Sequence, residues 1–180
     1  MSVDGKPVDY DNADNNCIGA VFITDNQKIM FTKKYNNGGI WSNGLFGKDV
    51  AGVTNTVDAS DAKKDFNGKT NTAAILAAYE EYGLEPSGDD MCYKLNSLID
   101  SDTYKDWYIP SAGQLYEIYM NKATINAMLT KINGGSLNGG ALSSSEANGN
   151  LIWYVSMTSG SIGGAEKTSR GNLIFVRDVI

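Results

Sequence analysis

Apolar positions change their spacing along the chain, and each change marks a different kind of element. Two short runs at 18–24 and 28–34 flank Asp25-Asn26. Turn formers between two β-prone runs predict a hairpin. Residues 36–56, "NNGGIWSNGLFGKDVAGVTNT", show no period, so Trp41, Leu45, Phe46 and Val53 read as apolar pins in irregular backbone. Helical spacing begins in "KTNTAAILAAYEEYGLEP", where Ile75, Leu76, Tyr79 and Tyr82 recur on one side. Thr70 or Asn71 can cap this helix, and Gly83 stops it before Pro86.

Three further helices follow the same logic. In "GDDMCYKLNSLI" the residues Met91, Cys92, Leu95, Leu98 and Ile99 share a face. In "DWYIPSAGQLYEIYMNK" an extended Trp107-Tyr108-Ile109 meets Pro110. Ser111 and Gln114 then stand at capping-box spacing, with Leu115, Ile118 and Tyr119 as the buried stripe. "ATINAMLTKINGG" makes a short helix closed by Gly134-Gly135. The stretch "SLNGGALSSSEANGN" is turn-rich, and strand-like runs return near 151–158 and 172–180. Strands, then helices, then strands again predict an α+β fold.

Composition narrows the function classes. With 180 residues, 42% hydrophobic and 20% charged, the chain suits one soluble domain, here 17–180 behind a loose lead-in at 1–16. The net charge is −6 with no cluster of Lys and Arg, which argues against phosphate neutralisation and hence nucleic-acid binding. Histidine is absent, which removes Ser-His and Cys-His catalysis and the commonest zinc ligand. Cys17 and Cys92 could bridge in an oxidising compartment or stay as two buried thiols; the sequence leaves both open. No apolar run is long enough to span a membrane, and the polar amino terminus holds no signal-peptide core. The acidic runs "DASDAKKDFNG" and "SGDD" miss the EF-hand pattern and read as solvated loops, so no metal and no cofactor is expected.

The pieces "DWYIPSAGQLYEIYMNKATINAMLTKI", "LSSSE", "WYVSMTSGSI" and "FVRDV" occur in a telling order. Together they resemble a bacterial and phage family of C-type-lectin-type fold. Its frame is a W-x-[LI]-P-[ST]-x-x-[EQ]-L helix entry, a W-S-S-[ST]-E loop, a Trp strand and a terminal V-R. Within that family the chain is most similar to variable proteins of diversity-generating retroelements, in which adenines of Asn-type codons are randomised. The resemblance covers roughly 60–180. It departs where Ala141-Leu142 replaces a Tyr-Trp pair, and where Leu173-Ile174 stands in place of an Arg. The same fold hosts the formylglycine-generating enzyme, but Cys17 and Cys92 lie outside the segment that holds that family's reactive pair.

The resemblance implies a variable, ligand-binding region at about 141–176. Ala147, Asn150, Leu151, Ile152, Tyr154, Ser156, Thr158, Ser161, Gly163, Gly164, Thr168, Arg170, Leu173 and Ile174 are its candidate surface. Adenine substitution cannot create Trp153, Met157, Glu166 or Lys167 from Asn codons, so these belong to the fixed part. Trp153, Val155, Ile162 and Val176 would anchor strands in the core. The expected function is non-enzymatic recognition of a protein or cell-surface ligand, on a virion or a prokaryotic cell surface. The alternative is a static adhesin or fimbrial domain of the same fold. Oligomeric state stays open.

Overall fold

The computed structural model describes residues 8–24, 28–31, 38–101 and 105–178, with residues 28–31 and 101 in backbone only. Two small sheets carry the fold. β1 (Val21–Ile23), β2 (Lys28–Phe31) and β8 (Val176–Asp178) form an antiparallel sheet in the order β1-β2-β8. β3 (Gly38–Ile40), β4 (Gly140–Glu146), β5 (Leu151–Ser156), β6 (Ile162–Glu166) and β7 (Arg170–Asn172) form the second, ordered β3-β7-β4-β5-β6. Within it only the β4–β7 contact is parallel. The expected hairpin is present as β1–β2, paired Val21↔Met30 to Ile23↔Lys28, while its Asp25-Asn26 turn lies outside the described residues.

Five helices separate the first strands from the last: α1 (Ala59–Ala62), α2 (Gly68–Glu81), α3 (Met91–Ser101), α4 (Ala112–Met120) and α5 (Lys122–Lys131). The architecture is α+β, with helices packed on small antiparallel sheets and long irregular connections. α2 ends as its sequence implies. Gly83 takes φ +60°, the Leu84 amide donates to the Tyr79 carbonyl at 2.8 Å, and Leu84 packs on the core. Its start is earlier than Thr70 or Asn71. Asn67 is the residue before the helix, and Asn71 is wholly buried inside it, where it accepts from the Thr54 amide and donates to Asp65. α4 opens on the Ser111/Gln114 capping box, with Gln114 Oε1 accepting from the Ser111 amide at 2.9 Å. α5 closes through Asn133 at φ 55° rather than through the glycines, and the Gly134 amide reaches back to the Leu129 carbonyl at 2.7 Å.

Three further places differ from the sequence expectations. "GALSSSE" is β4, buried in six of its seven residues, rather than a turn-rich connection. Two of its serines spend their hydroxyls inside the protein: Ser143 Oγ donates to the Trp153 carbonyl at 2.7 Å and Ser145 Oγ to Asp65 Oδ2 at 2.6 Å. Small hydroxylated side chains thus fill a buried strand with two of the three hydroxyls paired, while the buried Ser144 Oγ has no partner among the described residues. Phe46 is exposed, whereas Trp41, Leu45 and Val53 are buried as expected. Residues 8–16 do not hang loose: Val8 and Ala13 pack on the core beneath α5, and Asn133 Nδ2 donates to Asn15 Oδ1 at 2.7 Å.

Candidate ligand-binding face

The strands that would carry ligand contacts rest on a buried polar centre. Lys167 follows β6 directly, and its side chain runs inward with no exposure, as does that of Glu146 at the end of β4. The Lys167 ammonium donates to Glu146 Oε1, to the Lys48 carbonyl at 2.6 Å and to the Leu45 carbonyl at 3.4 Å. Three N–H groups therefore meet three oxygens, the full donor capacity of a lysine. Glu146 Oε2 accepts from the Val50 amide at 3.0 Å, and the ammonium sits 4.6 Å from the centre of the Trp41 ring. Burial pushes the Glu146 carboxyl up and the Lys167 amine down, and their mutual contact opposes both shifts. The pair ties the loop 45–50 to β4 and to the β6–β7 turn.

Trp153 is the second anchor. It is 7% exposed, clusters with Ala62, Ala112 and Ala147, and donates Nε1–H to the Thr56 carbonyl at 3.1 Å. Met157, Val155 and Val176 are fully buried in the neighbouring cluster, and Ile162 is half-buried against it. The positions expected to be fixed or to anchor the core are buried, except Ile162, which is half-buried, and Glu166, which is exposed.

The fourteen candidate surface residues divide into three groups. Asn150, Thr158, Ser161, Gly164 and Arg170 are exposed, while Leu151, Tyr154, Ser156, Gly163 and Thr168 are half-buried. Ala147, Ile152, Leu173 and Ile174 are not surface residues at all, with exposures of 8%, 0%, 1% and 1%. Each is packed into the interior, Ala147 against Trp153 and the other three into the two larger core clusters. Ile152 and Leu173 join the cluster around Trp41, whereas Ile174 joins Leu115 and Ile118 of α4. The remaining residues do not converge on one spot. Ser156, Thr158 and Ser161 surround the β5–β6 turn, and Asn150 and Thr168 lie at the opposite end, about 17 Å away along a six-residue strand.

Between those ends lies a groove of about 380 Å³ on the open face of the sheet, lined by Tyr154 and Arg170 together with Leu142, Ala165, Asn172 and three glycines. Leu142 is buried and leans on Gly171, where an added Cβ would fall 2.6 Å from its side chain. Arg170 Nη1 pairs with Asp89 Oδ2 at 2.5 Å, and Lys94 pairs with Asp89 Oδ1 at 3.1 Å. Hydrogen bonds from Arg170 and then Lys94 hold the Asp89 carboxyl below its usual range. Asn172 Nδ2 donates to the Asn138 carbonyl at 2.6 Å. Asn172 and Leu142 fall inside 141–176 but are not among the candidate surface residues, because they reach the groove through neighbouring strands. The β3–β7 and β4–β7 pairings that bring them there have no local signal.

The acidic runs read as solvated loops are only partly so. Asp65 is 4% exposed and accepts from Asn71, Thr54, Ser145 and the Asn67 amide, which welds the α1–α2 loop to β4. Asp90, also 4% exposed, accepts from the Tyr79 hydroxyl and the Cys92 amide. Ser42 completes this buried row, 2.5 Å from the Tyr79 oxygen, and burial together with Asp90 drives the Tyr79 hydroxyl far above the usual phenol range. Cys17 and Cys92 are buried free thiols in separate clusters, and burial raises the Cys92 thiol well above its ordinary value. Among the described residues no His/Cys/Asp/Glu group has the make-up of a metal site, and no helix is long and apolar enough to cross a membrane.

No protein-family model matches the chain, and no curated protein matches it. Among solved structures, a fimbrial protein from Bacteroides ovatus superposes with a TM-score of 0.64 at 21% identity over 83% of this chain. The chain spans 35% of the length of that protein. The likeness is one of fold.

Proposed function

We propose that this chain is a non-enzymatic binding domain of a cell-surface protein, of fimbrial or adhesin type, that presents the β5–β7 face to a ligand. The observation that supports it most is the division of labour in the last third of the chain. Buried Trp153, Met157 and the Glu146–Lys167 pair hold the strands, while ten polar, small or half-buried residues between them carry no structural load of comparable size. The fimbrial protein of shared fold favours surface display, and a domain filling 35% of such a chain would be one part of a longer assembly. An array of purified extracellular proteins and glycans tests the reading. The parent protein should retain ligands that a variant with Asn150, Tyr154, Thr158 and Arg170 all replaced by Ala loses, at an unchanged melting temperature. Identical binding profiles would sink it.

Diversification by a retroelement is the second reading. One observation favours it: three of the four residues that adenine substitution cannot create, Trp153, Met157 and Lys167, are buried, while the exposed neighbours other than Glu166 are permitted products. Sequencing the source locus decides it. A nearby reverse transcriptase and a template repeat differing at adenines are expected; a constant segment at 147–174 across isolates would leave a static adhesin.

A further inference from the structure

Tyr154 lies on the sheet in an uncommon way. A Cβ on Gly140 of β4 would stand 3.3 Å from its Cδ2, and one on Gly163 of β6 would stand 2.9 Å from its Cε1. Its two edges therefore rest over glycines on both neighbouring strands, so the ring lies along the sheet with one face turned outward. Any side chain at either glycine would lift it. Its hydroxyl has no hydrogen-bond partner among the described residues, and the ring forms one wall of the 380 Å³ groove, at the small end of ligand sites. Opposite it, Arg170 exposes 64% of its side chain while paired to Asp89, and Asn172 uses only its amide N–H₂ internally.

From this geometry we infer that the groove binds an uncharged pyranose unit of a glycan, the C–H face of the sugar lying on Tyr154 and its hydroxyls bonding to Arg170 and Asn172. This rests on the reading of the β5–β7 face as a ligand surface. A flat ring ringed by separate donors and acceptors suits a molecule that is apolar on one face and hydroxylated at its rim. Arg170 shares Asp89 with Lys94, so its charge is only partly compensated; its remaining N–H groups suit sugar hydroxyls, and a charged probe tests an anion against them. Nucleotides also stack on aromatic rings, but their phosphates would meet a chain of net charge −6. No cation takes part.

Saturation-transfer NMR on the full chain tests this with the methyl glycosides of glucose, galactose, mannose and N-acetylglucosamine, with and without EDTA, and with sodium glucuronate as the charged probe. At least one neutral glycoside should receive saturation, EDTA should change nothing, and Tyr154→Ala should weaken binding about three- to tenfold. Tyr154→Phe should keep most of it, whereas Gly163→Ala, which tilts the ring, should weaken it by no more than Tyr154→Ala does. Silence from all four glycosides, affinity unchanged by Tyr154→Ala, loss with EDTA, or preference for glucuronate would each overturn the inference. The array separates this failure from that of the underlying reading. If the fourfold variant loses protein ligands but no glycan, the saccharide falls and the face stands. If it loses nothing, the face itself is wrong.

Discussion

Two cations that flank the β6–β7 turn are built to opposite rules. Lys167, immediately after β6, is wholly buried and gives each ammonium proton an oxygen, whereas Arg170, three residues on, lies in solvent with a single carboxylate partner. Both are cations close to a glutamate or aspartate, yet only the first organises its surroundings. A buried charge that loses its partner leaves an uncompensated ion, while an exposed one falls back on water. The contrast teaches which residues a chain of this fold can change freely. Position in sequence says little about it; burial and partner count decide.

The comparison breaks most clearly at its buried side. Lys167→Met should cost about 3–5 kcal/mol in denaturant unfolding, because Glu146 stays behind without its cation. Burial already raises the Glu146 carboxyl, and losing Lys167 raises it further. A raised folded-state value means stability present at low pH and lost as pH climbs from about 4.5 through that value, so the deficit should widen between pH 4 and pH 8. A pH-independent deficit would contradict the pairing. Trp153→Ala should also cost about 3–5 kcal/mol, since a buried ring and its bond to the Thr56 carbonyl go together. Next in size is Tyr79→Phe, which leaves Ser42 and Asp90 facing each other without the bridging hydroxyl and should cost about 1–3 kcal/mol in the same measurement.

Much of this was legible in the chain where the cause is local. Gly83 as a helix stop and Ser111/Gln114 as a helix start depend on residues within a turn of each other, and both hold. An asparagine near a helix start is ordinarily a cap, but the Asn71 amide is consumed by Thr54 and Asp65 from outside the helix. Ile152, Leu173 and Ile174 belong to the candidate surface only through the resemblance to a variable region; the structure buries all three, because their side chains meet the two core clusters. The Glu146–Lys167 pair had no signal, as its partners are 21 residues apart and meet only once β4 and the turn after β6 are in place.

The exposed side should answer differently. Thr158→Ala and Arg170→Ala should each change unfolding free energy by no more than about 0.5 kcal/mol, and together they should add, because they stand at separate places on the face. A loss above about 1 kcal/mol for either in the same denaturant titration would move it from presented surface to framework.

The smallest effect is the most specific to the Arg170 side of the comparison. Asp89 is held below its ordinary value of 3.8, first by the hydrogen bond from Arg170 and then by that from Lys94. A lowered folded-state value contributes stability above the unfolded value and loses it as pH falls through the folded one, so any contribution vanishes only below about pH 3.8. Carboxyl-detected NMR should therefore show Asp89 titrating below the exposed aspartates, and Arg170→Gln should move it back toward them without touching Asp90, which burial raises instead. Lys94→Gln should move it less, in keeping with the order of the two contacts. If Asp89 titrates with the free aspartates in the parent protein, the Arg170 pair does not persist in solution, and the groove beside Tyr154 would present an uncompensated guanidinium.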